Sequence, residues 1–293
     1  MISIIVTTFR EPSVIQTLKS IMEQNTVEKE ILVAAPDKGT QDLIREFAKK
    51  TKTNIKIIAD AGRGKPAALN LCFKEAKGDI LVLTDGDVIL DENSIIKLLK
   101  PFSDPKVGIV SSRPSSLNSR NNFFGYISHL LTDVGAHQTR LKKKEKNEFM
   151  VCSGYLMALR KGIVRKIPEN SLADDAVISH LVYESGYKTD YAPNAKVYVK
   201  YPTNLQDWIK QKRRSTAGYP QLKYLIKGKE RMRNFKQESF GLFKIFSYPK
   251  NLKELIWTVM LIFLRLYLWS IVFYEIKIKK SGMELWQRVE STK

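Results

Sequence analysis

The first 110 residues alternate short apolar runs with longer stretches of helical spacing, and this pattern restricts the fold more than any other feature of the chain. Short apolar runs bounded by turn residues predict buried strands, and the stretches between them predict helices. Strict alternation indicates an α/β fold, with a mainly parallel sheet covered by helices on both faces. The predicted strands are 2–7, 30–34, 55–59, 80–84 and 107–111, and the predicted helices are 13–23, 40–50, 66–76 and 93–99.

The loops that follow the predicted strands are where a ligand is expected. In parallel sheets, ligands bind beyond the carboxyl ends of the strands. These loops begin at Thr7, Ala35, Asp60 and Thr84. The opening MISIIVTTFREP is too short an apolar run for a signal peptide or a membrane span, so it is interpreted as an interior strand.

Composition narrows the class of protein and its partners. A chain of 293 residues with 43% hydrophobic residues can bury a substantial core. Its 49 Lys and Arg against 30 Asp and Glu give a net charge of +19, which fits a nucleic acid, an anionic lipid or a diphosphate ligand. A Lys-rich surface that serves thermal stability is the alternative. Cys72 and Cys152 form no disulfide or zinc pattern, so a reducing, cytoplasmic setting is expected.

The C-terminal part predicts attachment to a membrane. Residues 255–276 are almost wholly apolar and long enough to cross a hydrocarbon core of about 30 Å. Arg265 in the middle opposes insertion by roughly 3 kcal/mol, which the surrounding apolar residues offset. The alternatives are an interfacial helix, with Trp257 and Trp269 at headgroup depth, and a core helix of a soluble protein. Nine basic and two acidic residues between 223 and 253 favour an anionic membrane surface.

Two carboxylates end the fourth predicted strand. Asp85 and Asp87 flank Gly86, and side chains two apart at a strand end can point the same way into a cleft. Hard oxygen ligands of this kind suit Mg²⁺ or Mn²⁺, which keep positions open for phosphate oxygens. An Asp-Gly turn without a ligand is the simpler alternative.

Three further motifs contain charged residues that could act in catalysis or in the binding of an anionic ligand. Asp174 and Asp175 precede an apolar helical run, where they either cap the helix or place a general base near an acceptor hydroxyl. Gln211 and Arg214 lie one helical turn apart in WIKQKRRS, on a surface that is either solvated or recognises diphosphate. Lys65 follows a Gly-Arg-Gly loop at a predicted helix N-terminus, an arrangement that favours anions.

Taken in order, these motifs resemble those of family 2 glycosyltransferases with the GT-A fold, from Ile2 to about Gly218. IIVTTFRE resembles the opening strand of that family, and GRGKPAALN and TDGDV resemble its GKxxALN and DXD segments. The resemblance implies a Mn²⁺ or Mg²⁺ cofactor held by Asp87 with help from Asp85, which also faces the nucleotide. It further implies that the nucleotide is bordered by Thr8, Phe9, Glu11 and Lys65.

The second half of the resemblance concerns catalysis and the acceptor. ADDAVISHLVYESGYKTDYAPNAKV resembles the stretch that carries the catalytic base, which implies that Asp175 is the base beside Asp174. VCSGYLMALR resembles the acceptor-side strand, so Ser153 and Gly154 are expected to line the acceptor pocket. QKRRS resembles the QxxRW motif of membrane-associated glycan synthases, so Gln211 and Arg214 are expected at the diphosphate.

The chain departs from the family pattern at two places. Ala35-Pro36-Asp37 stands where the family commonly has an Asp pair, so Asp37 is expected to contact the nucleoside from a shifted position. Ser215 replaces the Trp of QxxRW, a residue that stacks on the acceptor in polymerising synthases. Those synthases also carry several membrane helices, whereas one apolar stretch occurs here, so transfer of a single sugar is favoured over processive export.

The resemblance therefore implies an inverting, metal-dependent transferase. It would move a sugar from a nucleotide diphosphate sugar, with UDP favoured, to a glycan or lipid-linked acceptor at the cytoplasmic face of a membrane, with no nucleic acid partner. The expected catalytic domain is 1–235, with a nucleotide-sugar half at 1–112 and an acceptor half at 113–220, followed by a membrane-associating segment at 236–293. The alternatives are a sugar nucleotidyltransferase and a basic RNA- or membrane-binding protein.

Overall fold

One eight-stranded sheet organises the computed structural model, which describes residues 1–26, 28–226, 245–274 and 290–292. The strand order across this sheet is β3-β2-β1-β4-β7-β6-β8-β5. The strands are β1 (Ile2–Thr7), β2 (Lys29–Ala34), β3 (Ile55–Ile58), β4 (Ile80–Asp85), β5 (Val88–Leu90), β6 (Val107–Ser116), β7 (Leu156–Arg160) and β8 (Lys188–Val199).

Helices connect and cover these strands. A π-helical segment, Leu131–His137, joins the fifth helix to the sixth, and a 3-10 turn, Lys100–Ser103, follows the fourth. The α-helices of the described part are α1 (Val14–Met22), α2 (Lys38–Thr51), α3 (Lys65–Glu75), α4 (Ser94–Leu99), α5 (Phe123–Leu130), α6 (Gln138–Glu145), α7 (Asp174–Glu184), α8 (Leu205–Leu225) and α9 (Leu252–Tyr274).

The predicted α/β fold is confirmed, and the reason is visible in β1. Successive side chains of a strand point to opposite faces. Ile4 and Val6 pack in a core that includes residues of α1 and α2, whereas Ile5 packs in a second core with residues of α3 and α7. Both faces of the sheet are therefore apolar and covered by helices, as the near-continuous apolar run of this strand requires.

Strand direction sets the position of the site. β1 to β4 run parallel, so their carboxyl ends share one edge of the sheet. β7 is antiparallel to both β4 and β6, and Leu156 at its start pairs with Thr84 near the end of β4. The residues just before β7 are consequently brought to the same edge as the loop after β4.

Two segments of the second half differ from what their sequence patterns predict. The mostly apolar run 149–159 predicts one strand, but the strand begins only at Leu156. The basic run 141–148 favours a solvated loop, but α6 extends to Glu145. Lys and Glu are good helix formers, and the side chain of Lys144 pairs with Asp190 at 2.6 Å, which ties the helix to β8.

The apolar C-terminal stretch forms α9. Within the part of the chain that the structure describes, it is the one helix long and apolar enough to cross a membrane, by length and composition alone. α9 packs against α5 and α8, where Leu261 and Leu268 join the buried side chains of Tyr126 and Trp208. The proposed domain boundary at 235 and 236 lies outside the described residues.

Replacing Gly78 by Ala tests how closely the chain before β4 approaches β1. A Cβ at this position would lie 2.4 Å from the backbone nitrogen of Ser3. Because the nearest atoms all belong to the backbone of Ile2 and Ser3, we expect the free energy of unfolding to fall by about 1–3 kcal/mol, as in other overpacked sites. Chemical denaturation measures this loss.

Gly135→Ala is the matched control, since a Cβ there meets nothing within 4 Å and Ala favours a helical backbone. Its free energy of unfolding should equal or exceed that of the parent. Equal stability of the Gly78 and Gly135 variants would contradict the described contact between residue 78 and β1.

Candidate active site

A turn after β4 holds the two carboxylates of the Asp-Gly-Asp motif. Asp85 is the last residue of β4, and the backbone N–H of Gly86 donates to the carbonyl of Thr7 at 3.0 Å. A Cβ at position 86 would lie 2.6 Å from the Cβ of Thr8. Glycine is therefore required between the two aspartates, because the turn presses directly against the end of β1.

Lys65 links this turn to a second acidic motif. It is the first residue of α3, after Gly64, whose φ of 101° is a conformation that favours glycine. The Lys65 ammonium lies 2.6 Å from Asp85 Oδ1 and 3.4 Å from Asp174 Oδ2. The glycine loop thus positions the Lys65 ammonium between two carboxylates that are 89 positions apart in the sequence.

The start of α7 places Asp175 beside the residues that precede β7. The backbone N–H of Gly154 donates to Asp175 Oδ2 at 3.2 Å. Asp174 is buried, and Asp175 is partly exposed. The structure therefore brings Lys65, Asp85, Asp174 and Asp175 together at the edge of the sheet where the parallel strands end.

The charges in this group shift the pKa values of its members. Burial raises the pKa of the Asp85 carboxyl, and the charge of Asp87 adds to the rise against the opposing ammonium of Lys65. Burial and the charge of Asp174 likewise raise the pKa of Asp175. Burial alone would lower the pKa of Lys65, but Asp174 and Asp85 raise it, so the ammonium stays charged. Asp87 therefore belongs electrostatically to the same group, which we call the acidic cluster: Lys65, Asp85, Asp87, Asp174 and Asp175.

The acidic cluster fits a divalent cation. It contains four carboxyl groups and one ammonium, so a single positive charge faces four acidic groups. Within the described ranges, no group of three or more His, Cys, Asp or Glu side chains is placed so that it could hold a metal ion by itself. A cation here would need further oxygen ligands, which is how Mg²⁺ commonly binds with substrate phosphates.

The residues predicted to border the nucleoside lie after β1 and β2. Phe9 is half exposed, and the Arg10 guanidinium lies over its ring at 5.1 Å from the ring centre. The Thr8 hydroxyl is buried and has no hydrogen-bond partner among the described residues. Both observations suit a ligand at this edge.

The two acidic residues predicted nearby have structural partners. Glu11 is buried and accepts a hydrogen bond from the Ser13 hydroxyl at 2.7 Å. Asp37 caps α2 by accepting from the Thr40 N–H at 2.9 Å, and it accepts from the Arg10 N–H at 2.8 Å. Burial acts to raise the pKa of Asp37, but these hydrogen bonds lower it overall. In this structure both carboxylates shape the loops that surround the predicted nucleoside position.

The residues predicted to bind the acceptor and the diphosphate lie before β7 and on α8. Ser153 is buried, and its backbone N–H donates to the Ser111 hydroxyl at 3.0 Å, which anchors the segment before β7. Gln211 lies on α8 and lines a small cavity with Tyr201 and Trp208. Arg214 follows one turn later on the α8 backbone, and its side chain lies outside the described part.

α8 itself runs close to the acidic cluster. Gly218 packs so tightly that a Cβ there would lie 2.8 Å from the Cβ of Ala173, the residue before α7. The side chain of Gln221 accepts from the Leu172 N–H at 2.9 Å and donates to the Asn170 carbonyl at 2.8 Å. The helix that carries Gln211 and Arg214 is thus fixed to the segment that leads into Asp174.

Two positioning residues were not predicted from the sequence. The Thr84 hydroxyl donates to the carbonyl of Tyr155 at 2.7 Å and so holds the segment before β7 against β4. The Ser179 hydroxyl accepts from the Cys152 N–H at 2.9 Å and donates to the Asp175 carbonyl at 2.7 Å. A serine four residues after the predicted base on the same helix is a weak signal, and no local pattern shows which segment of the chain it contacts.

Comparison with known proteins identifies the family. Residues 1–218 match the family described as Glycosyltransferase like family 2, so the chain belongs to the family 2 glycosyltransferases. The probable glycosyltransferase YdaM of Bacillus subtilis is 26% identical over 238 residues, which are 76% of this chain and 57% of YdaM. The poly-beta-1,6-N-acetyl-D-glucosamine synthase of Staphylococcus aureus is 26% identical over 220 residues, 69% of this chain and 50% of the synthase. The chain thus matches about half the length of these curated relatives.

Solved structures share the fold. The mannosyltransferase PcManGT from Pyrobaculum calidifontis, solved with GDP-Man and Mn²⁺, superimposes with a TM-score of 0.60 at 17% identity, covering 95% of this chain and 81% of that one. S. aureus TarS 1–349, solved with UDP-GlcNAc, gives a TM-score of 0.52 at 16% identity, covering 88% and 78%. Because the sequence identity to both structures is below 20%, these similarities establish the GT-A-like fold alone.

Lys65→Met tests the charge balance of the acidic cluster. Without the ammonium, the pKa values of Asp85 and Asp175 should rise further above their unfolded values. A carboxyl whose folded pKa is raised stabilises the fold below its unfolded pKa and loses that stabilisation as pH rises through the folded pKa. We therefore expect a loss in free energy of unfolding of about 3 kcal/mol at pH 8 and a smaller loss at pH 5.

Lys56→Met provides the control, because Lys56 pairs with Glu75 in an ion pair whose two side chains are about half exposed. Its loss should stay within about 0.5 kcal/mol at both pH values. Denaturant unfolding measures both variants, and a Lys65 variant with the same small loss at either pH would show that Lys65 does not balance the cluster.

Proposed function

We propose that the chain is an inverting glycosyltransferase that moves a sugar from a nucleoside diphosphate sugar, with a UDP-sugar favoured, to an acceptor hydroxyl. The observation that carries this proposal is the acidic cluster at the carboxyl edge of the parallel strands. Membership of family 2 supports glycosyl transfer over nucleotidyl transfer or nucleic acid binding. The UDP preference is supported by the relative named as an N-acetylglucosamine synthase and by the TarS complex with UDP-GlcNAc.

Donor binding is assigned to the loops after β1, β2 and β4. Phe9 would stack on the base, and the buried Thr8 hydroxyl would gain a partner from the nucleoside. Glu11 and Asp37 would hold the surrounding loops through Ser13, Thr40 and Arg10. This arrangement follows the rule that ligands of parallel sheets bind at the carboxyl ends of the strands.

Asp85 and Asp87 are the proposed ligands of a divalent cation, Mn²⁺ or Mg²⁺. A bound cation of this kind would offset the negative charge that develops on the diphosphate as it leaves. The neighbour PcManGT was solved with Mn²⁺, which supports the choice of ion. Lys65, charged and next to Asp85, would contact the phosphates, and Gln211 and Arg214 on α8 would close on the same group.

Asp175 is the proposed general base. Its raised pKa makes it a stronger proton acceptor than an ordinary aspartate, and its partial exposure leaves it open to an acceptor. The Gly154 N–H orients the carboxylate, Asp174 stays paired with Lys65, and Ser153 fixes the segment that would line the acceptor pocket. The base removes the hydroxyl proton as the oxygen attacks opposite the leaving diphosphate, which inverts the configuration.

The acceptor is proposed to be a glycan or a lipid-linked molecule at the cytoplasmic face of a membrane. Support comes from the apolar helix α9 and from the excess of basic residues before it. The catalytic domain is proposed to span 1–235, and 236–293 would associate with the membrane. Because only one candidate membrane helix lies in the described residues, transfer of a single sugar is favoured over processive export.

Asp87→Ala and Asp175→Asn should separate donor binding from chemistry. With UDP-N-acetylglucosamine and Mn²⁺, the parent should release UDP, and both variants should lower this rate by about 10²-fold or more. UDP affinity measured by calorimetry in Mn²⁺ should fall in the Asp87 variant, because a cation ligand is lost. It should be unchanged in the Asp175 variant.

Asp42→Asn serves as the control, since Asp42 is exposed on α2 and pairs with Arg45. It should retain the parent rate and affinity. An Asp175 variant with a near-full rate would overturn the base assignment, and release of pyrophosphate from a nucleoside triphosphate would point to nucleotidyl transfer instead.

A further inference from the structure

α9 presents two opposite faces. Its buried side chains recur at helical spacing on the side that packs against the catalytic domain. They include Glu254, Thr258, Leu261 and Leu268. Half of the eighteen large hydrophobic side chains that are exposed in the described residues belong to this helix, and they form its outer face: Leu252, Leu255, Ile256, Val259, Met260, Phe263, Leu266, Tyr267 and Trp269.

Polar contacts fix the inner face of α9 to the domain. The Arg120 guanidinium donates to both oxygens of Glu254, at 2.7 and 2.8 Å. The hydroxyls of Tyr126 and Thr258 lie 2.6 Å apart. The bidentate geometry is specific, and the hydrogen bond from Arg120 lowers the pKa of Glu254 to about 2, so this pair stays charged at neutral pH.

Arg265 also belongs on the inner side. It follows Thr258 by seven residues, a spacing that places both on one face of a helix. Its side chain is half buried. Arg265, whose charge opposes insertion of this helix into a membrane, therefore points away from the apolar outer face.

This docking is incompatible with a helix that crosses a bilayer. The inner face is attached from Glu254 to Leu268, which is about 21 Å of helix at 1.5 Å per residue. A span needs roughly 20 residues surrounded by hydrocarbon or by other membrane segments. To span, α9 would either carry α5 and the Arg120 region into the hydrocarbon or release the Arg120 and Tyr126 contacts.

An anionic lipid leaflet is the partner that fits the outer face. The face is apolar along its length and carries Tyr267 and Trp269, residue types favoured at membrane interfaces. Lys250 and Lys253 are exposed where the helix begins. They are two of the nine basic residues between 223 and 253, a stretch that precedes the helix or overlaps its first turn and that favours an anionic surface.

We propose that α9 lies in the plane of the membrane, with its outer face in one anionic leaflet and its inner face on the catalytic domain, and does not cross the bilayer. The proposal rests on the membrane association given under the proposed function. It assigns both ends of the helix to the same side of the membrane. It also places α5 and α8, which carries Gln211, directly beside the lipid surface.

Binding to vesicles tests the lipid partner. The full chain is sedimented with vesicles of phosphatidylcholine and phosphatidylglycerol in equal parts, and with phosphatidylcholine alone. We expect tighter binding to the anionic vesicles. Phe263→Asp, at the centre of the outer face, should weaken binding about tenfold or more, because a charge replaces an exposed Phe side chain that would insert into the lipid. Ile96→Asp, an exposed apolar residue on α4, should bind as the parent does.

Labelling in intact bacterial cells tests the orientation. Lys250→Cys and Lys293→Cys are exposed separately to a thiol reagent that cannot cross the membrane. The parent is the control, because Cys72 and Cys152 are buried. The in-plane helix predicts that neither new cysteine reacts until the cells are lysed.

Each outcome decides one point. If position 293 reacts in intact cells while position 250 does not, α9 spans the bilayer and the in-plane proposal is overturned, whereas membrane association stands. If the parent fails to bind either vesicle, membrane association fails together with it. If Ile96→Asp weakens binding as much as Phe263→Asp at unchanged melting temperature, the outer face is not the lipid contact.

Discussion

The ion pairs of Lys65 hold the candidate site together. This one ammonium contacts Asp85 from the end of β4 and Asp174 from the start of α7, and it opposes the charge effects that raise the pKa of Asp175. Without it, four carboxyl groups would share a partly desolvated corner, which is costly in a low dielectric. Lys65 therefore stabilises the described arrangement, and the divalent cation that we propose would add a second positive charge to it.

Much of the fold follows from the sequence because its first half is locally consistent. The strands 2–7 and 80–84 are short apolar runs, and stretches of helical spacing lie between them, so the pattern alone predicts their positions and a mainly parallel sheet. The direction in which β7 pairs with its neighbours could not be predicted in this way. Nothing in the run 149–159 shows that only its second part pairs or that β7 lies antiparallel between β4 and β6.

The site could be predicted only in pieces. The motif around Asp85 predicts a turn with two carboxylates, and the pair at Asp174 predicts a helix start. Their meeting depends on Lys65, which is 109 positions from Asp174, and such contacts leave no local periodicity. Capping by Asp37 shows the reverse case, in which a residue predicted to contact the nucleoside has a clear structural task at the start of α2. α9 was predicted from its length and apolarity, whereas its fixed inner face depends on the distant Arg120.

Binding of nucleoside diphosphates with and without Mn²⁺ tests the central claim most directly. The melting temperature of the full chain is measured with UDP, GDP, ADP and CDP, each in the presence and absence of Mn²⁺. A ligand that binds only the folded state raises its stability, and coupled ligands strengthen each other's binding. The account predicts that one nucleotide raises the melting temperature clearly more with Mn²⁺ than the sum of the separate effects. If every nucleotide leaves it unchanged in Mn²⁺, the acidic cluster is not a site for a metal and a diphosphate.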